Sequence, residues 1–481
     1  MIMERREFMK KSTAGALSLS AFAMCEILNE MDALGFPTSG GMGVQEACMI
    51  VEEGKRKNIC PEIRSEIKNN PRAVFLIETH VDARKDENGT FDDAIPQLQA
   101  EGKRIAQYLF VKGTQKGGST FIKPNFTAKP SHCYYRTSGV YTQPDFIVGV
   151  VEHLRDIGNS NIMTGETATA AINRRLGKVY EAFDPAGIPM VEPGYRRFTD
   201  FEKNELNWFD TRNSIFWKKI PYFRPIGDDD TFLINIATLK CHLTGLTTLT
   251  VKNLQGCCPR GYGQFCTAWN SFESGAKRQG INYSDFHEHW QEQVEASFLK
   301  HRAAGFKRWD PRDCYKRYEE KGGWKAYQKA MKDGSEALNE FNRGIGPLMR
   351  HEMWLQRGLD NADVIRPQIN IIEGIIGLDG EELNRDRIGD DQLVNIVIAG
   401  CSPYEVDAVG SYVMGHDPRE LWYTRVARER GLGECDINKI DINKILDSGE
   451  IVPIKNISEI KRHPLGLNWA RKENPDERLF W

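Results

Sequence analysis

The sequence predicts an α/β protein with a mainly parallel open sheet, flanking helices and a helical insertion. From residue 71 onward, short apolar runs alternate with segments of helical periodicity. Between residues 120 and 164 a strand, a helix and a strand follow one another at the spacing of a βαβ crossover. Several apolar runs are continuous, which is typical of strands buried on both faces.

In the first half of the chain, residues 73–77 and 120–123 predict strands and residues 144–157 predict a helix. Pro144 and Asp145 suit the first turn of that helix. Gly158 ends the helix, and residues 161–164 predict the next strand. The apolar side chains that follow Asp145 recur on one helix face: Phe146, Val150, Val151 and Leu154.

The second half of the chain also contains predicted strands and helices. Residues 231–236 and 393–398 predict buried strands, and a similar apolar segment from Val364 to Ile376 includes the run 369–372. One helix is predicted from Pro403 to just before Gly415, and another from about Pro418 to Gly431. Residues 265–358 are rich in Lys, Glu, Arg and Trp with helical periodicity, which indicates a helical insertion serving as a lid or an oligomer contact.

The predicted organisation has five parts. Residues 1–23 form a signal peptide and residues 24–70 a linker and N-terminal extension. Residues 71–264 and 359–436 form the α/β core, with the helical insertion at 265–358 between them. Residues 437–481 are polar and predict an irregular C-terminal extension.

The N-terminus resembles a twin-arginine export signal. Arg5 and Arg6 precede Phe8 and two lysines, a weakly apolar stretch follows at residues 12–24, and Ala21 and Ala23 are the small residues that a signal peptidase reads. A short amphipathic helix is the alternative. The signal predicts transport of the folded protein to the periplasm by the twin-arginine export machinery, and a soluble protein after its removal, since no later segment has twenty uninterrupted apolar residues.

Composition excludes several classes. A net charge of −3 gives no reason to expect nucleic-acid binding. The eleven cysteines include no C-x-x-C pair, which argues against a ferredoxin-type cluster or a zinc ribbon. No glycine-rich dinucleotide fingerprint follows a predicted strand. Cys257, Cys258 and Cys266 are interpreted as incidental thiols, a vicinal thiol pair, or, with His132 and Cys133, a metal site.

Polar side chains stand near the ends of predicted strands in three segments. Ligands of open α/β sheets bind beyond the carboxyl ends of strands, so these side chains are candidates for binding and catalysis. In the first segment Pro124 stops a strand and holds Lys123 extended, and Asn125 follows. Lys123 is expected to bind an anion or to extend its ammonium group to solvent.

The second segment, residues 238–256, concentrates polar groups between apolar neighbours. If these groups are buried they need partners, which a ligand with several oxygens would supply. The alternative is a solvated loop followed by a helix that carries Lys252 outward. Nearby lysines would lower the pKa of His242 and favour its neutral, basic form. The candidates here are Lys240, His242, Thr247, Lys252 and Asn253.

In the third segment Asp407 stands early in a predicted helix. Acidic residues are common near helix starts because they complement the helix dipole. The apolar neighbours Val406 and Ala408 indicate instead that Asp407 lies in a buried turn.

Taken together, these segments resemble the prokaryotic family named domain of unknown function 362. The resemblance implies an α/β fold and a shared polar site, and it adds Glu166 to the candidates. Some members carry a ferredoxin-like cluster segment whose cysteines this chain lacks. The matching pieces are residues 122–125, 142–148, 153–158, 165–166, 233–236, 239–242, 247–253, 256, 372–374, 402–408, 413–415 and 431–433.

The leading hypothesis is an exported enzyme that acts on a small anionic molecule bearing a carboxylate or phosphate. Lys123 and Lys240 would hold the anion and His242 would serve as acid and base. The remaining candidates would position the ligand, or orient a cation or a base: Asn125, Thr247, Lys252, Asn253, Glu166 and Asp407.

Two alternatives stay open. One is a metal or redox-cofactor protein loaded before export, which would use His242 with Cys241, or the group Cys257, Cys258 and Cys266. The other is a non-catalytic binding or accessory protein, with residues 265–358 as its surface for a partner or a second copy.

Overall fold

The computed structural model describes residues 42–126 except 56 and 88, then 136–166, 178–193, 201–211, 219–242, 246–259, 357–380 and 389–465, with isolated positions between 320 and 340. The predicted signal peptide lies outside the described residues. Most of the predicted insertion at 265–358 lies outside them too.

The strands are β1 (Ile59–Ile63), β2 (Val74–Glu78), β3 (Phe110–Lys116), β4 (Ser119–Pro124), β5 (Ile162–Gly165), β6 (Met190–Val191), β7 (Leu206–Asp210), β8 (Lys219–Phe223), β9 (Thr231–His242), β10 (Leu246–Thr248), β11 (Ile369–Asp379), β12 (Asp390–Gly400), β13 (Ile442–Ile445) and β14 (Ile451–Pro453). The α-helices are α1 (Val44–Lys55), α2 (Ser65–Lys68), α3 (Ile95–Leu109), α4 (Pro144–Asp156), α5 (Lys178–Ala186), α6 (Thr250–Asn253), α7 (Pro403–Val413) and α8 (Trp422–Glu429). Short 3₁₀ helices lie at Asp92–Ala94, Lys203–Glu205, Leu254–Cys257, Ile437–Lys439 and Ile457–Glu459.

A ten-stranded sheet organises the molecule in the order β14-β13-β2-β12-β11-β9-β4-β5-β6, with β10 paired to β9. The pairings give β13, β2, β11, β9, β4, β5 and β6 one common direction, while β14, β12 and β10 run against it. The predicted fold class, a mainly parallel open sheet with flanking helices, is confirmed.

Helices cover both faces of this sheet because side chains alternate along each strand. We call the two sides the α3–α4 face and the α7 face. Ile234 and Ile236 of β9 pack with α3 and α4 in one apolar cluster. Leu239 of β9 and Ile372 of β11 pack with α7 in another. Alternate residues of one strand therefore contact the helices on opposite faces of the sheet.

Most predicted elements are confirmed within a few residues. Strands β2, β4, β5 and β12 and helices α4 and α7 lie where the apolar patterns place them. Strand β9 continues to His242, beyond the predicted end at 236, and β11 continues to Asp379, beyond the apolar run 369–372. Both extensions carry buried polar residues, which interrupt the apolar run without ending the strand.

Two terminal regions contain more structure than the sequence predicts. The N-terminal extension contributes α1, and it contributes β1, which pairs with β3. The prediction of an irregular extension was wrong over residues 442–453, where β13 pairs in parallel with β2 and β14 follows it. Ile442 and Ile445 bury their side chains there, a signal too short to stand out among polar neighbours.

The isolated positions described within the predicted insertion are mostly helical. The described residues 357–365 form a further helix, which crosses the predicted end of the insertion at 358. Within the described part of the chain, none of the helices has the length and apolar character needed to cross a membrane.

Candidate functional site

A buried ion pair joins the carboxyl ends of β4 and β5. Lys123 is fully buried, and its Nζ lies 2.6 Å from Glu166 Oε2. The same Nζ donates to the main-chain oxygen of Pro124 at 2.5 Å and to Asn253 Oδ1 at 3.2 Å. A lysine ammonium has three N–H donors, so these three acceptors satisfy it. The sequence predicted both Lys123 and Glu166 as site residues, and the structure brings them into direct contact.

An asparagine network extends from this pair across the sheet. Asn253 Nδ2 donates to the main-chain oxygen of Lys123 at 3.1 Å and to Asn235 Oδ1 at 2.8 Å. Asn235 Nδ2 donates to Asn370 Oδ1 at 2.8 Å, and Asn370 Nδ2 donates to the main-chain oxygen of Cys401. Sequence reasoning missed Asn235 and Asn370, although each interrupts an apolar run at a position that the parallel pairing places beside the other.

Asp407 holds the helix that carries Asn253. Its Oδ1 accepts from Thr250 N at 2.7 Å and from Thr250 Oγ1 at 2.5 Å, and its Oδ2 accepts from Val251 N at 3.0 Å. Burial raises the pKa of Asp407 to about 7, against the lowering effect of these hydrogen bonds. Asp407 therefore caps the first turn of α6 from a different helix. Lys252, on the same short helix, is partly buried.

Lys240 belongs to a second cluster. It is fully buried, and its Nζ donates to the main-chain oxygen of Val140 at 2.6 Å and to Asn125 Oδ1 at 3.3 Å. Asn125 N donates in turn to Thr142 Oγ1, which donates to the main-chain oxygen of Ile236 at 2.9 Å. The predicted residues Lys240 and Asn125 thus lie together.

The two lysines point to opposite faces of the sheet. Ile122 and Ile236 point to the α3–α4 face, so Lys123 points to the α7 face and Lys240 to the α3–α4 face. The two clusters meet at the Ile236 carbonyl, which accepts from Thr142 Oγ1 and, at 3.3 Å, from Asn253 Nδ2. The carboxyl ends of β4 and β9 therefore carry a lysine on each side of the sheet.

His242 is buried near the end of β9, two residues beyond Lys240 and on the same face. Thr247, on the returning strand β10, faces the other way. Its hydroxyl lies 2.9 Å from Tyr423 Oη and 3.2 Å from Ser411 Oγ. The structure places the predicted residues His242 and Thr247 on opposite faces of the hairpin.

Glu373 is a buried carboxylate that the site prediction did not include. It accepts from Gln143 N at 3.2 Å, directly before α4, and from Ile375 N at 2.9 Å. Burial raises the pKa of Glu373 to about 7. It pairs with Thr238 across β11 and β9, which puts it on the same face as Lys240. A charged residue inside an apolar strand was the signal that could have identified it.

Cys257 ends the 3₁₀ helix Leu254–Cys257, which follows α6, and Cys258 comes next. Both side chains are fully buried. Burial raises the pKa of the Cys257 thiol to about 12, so the thiol is protonated at neutral pH. Among the residues described, no group of three or more His, Cys, Asp or Glu side chains is arranged to hold a metal ion. His132, Cys133 and Cys266, named in the metal hypothesis, lie outside the described residues.

One of the comparisons with known proteins identifies the family of this chain. Searches of curated proteins and of solved structures gave no match. The family model for the domain of unknown function DUF362 matches residues 120–412, more than half of the chain. The matched range contains both lysine clusters, the asparagine network, Glu373 and Asp407. The chain therefore belongs to the DUF362 family.

Proposed function

We propose that this protein is an exported enzyme that binds a small carboxylate- or phosphate-bearing molecule at the carboxyl edge of its sheet. The observation that carries the proposal is the complete burial of two lysines, Lys123 and Lys240, at the carboxyl ends of the neighbouring parallel strands β4 and β9. Burying an ammonium group is costly unless it is paired and hydrogen-bonded. Ligands of open α/β sheets bind at this edge.

The α3–α4 face supplies the groups that meet the ligand. Lys240 holds the anion, with Asn125 orienting its ammonium group through the 3.3 Å contact. His242, on the same face, accepts or donates the proton in the reaction. Glu373, whose pKa is raised to about 7 by burial, is a second group able to exchange a proton near neutral pH.

The α7 face supplies rigidity. The three acceptors around Lys123 Nζ already satisfy its donors. In this proposal Lys123 and Glu166 fix the end of β4, and the positive charge of Lys123 favours an anion bound nearby. Asn253 and Asp407 keep α6 in place over that end.

The proposal that the protein is exported rests on the N-terminal sequence. Arg5, Arg6 and Phe8, followed by a weakly apolar stretch, support transport through the twin-arginine machinery. This route carries folded proteins, which suits a site built from strands far apart in sequence.

A ligand-induced stabilisation experiment tests the binding proposal. Purified protein without the signal peptide is unfolded by heat in the presence of inorganic phosphate, acetate, succinate or citrate. A ligand at one hundred times its Kd stabilises the folded state by about 2.7 kcal/mol. A charge-assisted hydrogen bond contributes about 1.5–3 kcal/mol, so Lys240→Ala is expected to weaken binding at least tenfold.

The matched control is Lys219→Ala, because the Lys219 side chain is 54% exposed and lies on β8, outside the large sheet. It is expected to bind the same anion as the wild type does. If every anion leaves the wild-type unfolding temperature unchanged, the binding proposal is wrong. Equal stabilisation of the wild type and Lys240→Ala would exclude Lys240 as the binding group.

A further inference from the structure

The hairpin of β9 and β10 brings a residue outside the predicted site next to Lys240. Its register pairs Leu246 with His242, Thr247 with Cys241, and Thr248 with Lys240. Directly opposed residues of antiparallel strands project to the same face of a sheet. Thr248 therefore points to the α3–α4 face beside Lys240, whereas Thr247 points to the α7 face.

The two threonine hydroxyls differ in their surroundings. The Thr247 hydroxyl is within hydrogen-bonding distance of Ser411 Oγ and Tyr423 Oη. The Thr248 side chain is also buried, with 1% of its surface exposed, and its hydroxyl has no hydrogen-bond partner among the described residues. Buried polar groups in folded proteins are almost always hydrogen-bonded, so an exception calls for an explanation.

We propose that Thr248 is a ligand-binding residue whose hydroxyl donates a hydrogen bond to a carboxylate or phosphate oxygen of the molecule held by Lys240. This inference rests on the proposed function and deepens it by naming a second contact. A lysine ammonium only donates hydrogen bonds, and a threonine hydroxyl can donate one. Two donors on the same face, directly opposite each other in register, match a ligand group with two or more acceptor oxygens.

The positive charge of Lys240 is the reason to expect an anionic ligand. The lysine charge favours a negative group, and a charge-assisted hydrogen bond from a hydroxyl to an oxyanion is stronger than a neutral one. Lys240 Nζ donates to Asn125 Oδ1 at 3.3 Å and to the main-chain oxygen of Val140 at 2.6 Å, and these contacts fix the position of its charge. Thr247, a ligand-binding candidate from the sequence, contacts Ser411 of α7 and Tyr423 of α8.

The test compares three variants of the full mature protein. Thr248→Val replaces the hydroxyl with a methyl group of similar shape, and Thr248→Ser keeps the hydroxyl. The matched control is Thr231→Val, at the first residue of β9, where the buried hydroxyl lies 2.9 Å from Ser119 Oγ. Unfolding temperature is measured without added anion, and the Kd for the best anion of the panel is measured by calorimetry.

Thr248→Val is expected to unfold at the wild-type temperature or above it, because it removes a hydroxyl that lacks a partner in the described part of the chain. The same variant should bind the anion roughly tenfold more weakly, and Thr248→Ser should bind within about threefold of the wild type, the difference reflecting the lost methyl contact. Thr231→Val should show the reverse pattern: a lower unfolding temperature, because the hydroxyl contact with Ser119 is lost, with anion affinity unchanged.

The outcomes separate the two proposals. If the wild type binds none of the anions, the proposed function fails and this inference falls with it. If the wild type binds and Thr248→Val binds equally well, the inference about Thr248 is wrong while the proposed function stands. A clear drop in the unfolding temperature of ligand-free Thr248→Val would also overturn it, since it would show that the hydroxyl stabilises the fold by itself.

Discussion

Lys123 and Asn253 hydrogen-bond to each other in both directions. Lys123 Nζ donates to Asn253 Oδ1 at 3.2 Å, and Asn253 Nδ2 donates to the main-chain oxygen of Lys123 at 3.1 Å. Asp407 holds the opposite end of the same four-residue helix. Buried side-chain contacts therefore fix α6 at both ends, and the position of the lysine depends on a helix from a later part of the chain.

Breaking the buried ion pair should destabilise the protein. Lys123→Met leaves Glu166 as a buried carboxylate without its cation, and removing one partner of a buried pair costs about 3–5 kcal/mol. The double variant Lys123→Met/Glu166→Met should recover most of this loss, since no buried charge is stranded. Chemical denaturation measures both. Lys219→Met is the control, because its exposed ion pair with Asp210 is expected to contribute less than about 1 kcal/mol. A single variant no less stable than this control would contradict the prediction.

Gly256 should not tolerate a side chain. A Cβ at this position would lie 2.6 Å from Lys123 Cε and 2.8 Å from Lys123 Nζ, both held in place by the ion pair. Gly256→Ala is therefore expected to lower the free energy of unfolding by about 1–3 kcal/mol through overpacking. Gly43→Ala is the matched control, because a Cβ there meets no atom within 4 Å. Denaturant midpoints that shift equally in the two variants would show that the space around Lys123 is not restricted.

Stability should fall as the pH rises from about 4.5 to about 7. Burial raises the pKa values of Glu373 and Asp407 to about 7, so between their unfolded-state pKa values and pH 7 the folded state binds more protons. One pKa unit corresponds to about 1.4 kcal/mol, which gives a contribution on the order of 3 kcal/mol from each group. Urea denaturation across pH 5–8 measures the slope.

Glu373→Gln should flatten part of that slope, because it removes the charge but keeps an acceptor for the main-chain N–H groups. The carboxylates with lowered pKa values, among them Asp156 and Asp417, act in the opposite sense and at lower pH. They lose their stabilising effect as the pH falls through their folded-state pKa values, below the range of this experiment. A slope unchanged in Glu373→Gln would contradict the assignment.

The paired arginines should be required for export. Arg5→Lys/Arg6→Lys keeps the positive charge of the signal but removes the arginine pair that the twin-arginine machinery recognises. Fractionation of the native host should find the wild type in the periplasm and the variant in the cytoplasm. Lys10→Arg/Lys11→Arg, which preserves Arg5 and Arg6, is expected to be exported normally. Export of the first variant at the wild-type level would exclude this route.

Apolar periodicity was enough to predict the sheet strands at the centre of the fold and the helices α4 and α7, because each has a long and consistent pattern. It failed where a strand carries polar residues. Lys240 and His242 belong to β9, yet they resemble a loop in sequence because nothing local shows that the strand is covered on both faces. Lys123, Glu166 and Asn253 were named as candidates from the sequence without the contacts that join them.

The division of the site between two faces could not be predicted from local sequence. It depends on the register of β4 against β9, which pairs Lys123 with Asn235 rather than with a residue of the Lys240 face. The role of Asp407 depends on a contact with residues 250 and 251, more than 150 positions earlier in the chain. Such long-range pairings are set by the packing of the whole domain.

The hairpin of β9 and β10 also determines what a deletion in its connection would do. Thr247 and Thr248 are chemically identical neighbours, and their surroundings differ only because side chains alternate along a strand. Leu246, with a φ of 53°, begins the strand that fixes this alternation. Deleting one residue from the connection would exchange the two hydroxyls between the faces without altering the composition of either strand. Under the proposed function, a deletion between His242 and Leu246 is therefore expected to change which hydroxyl meets the ligand.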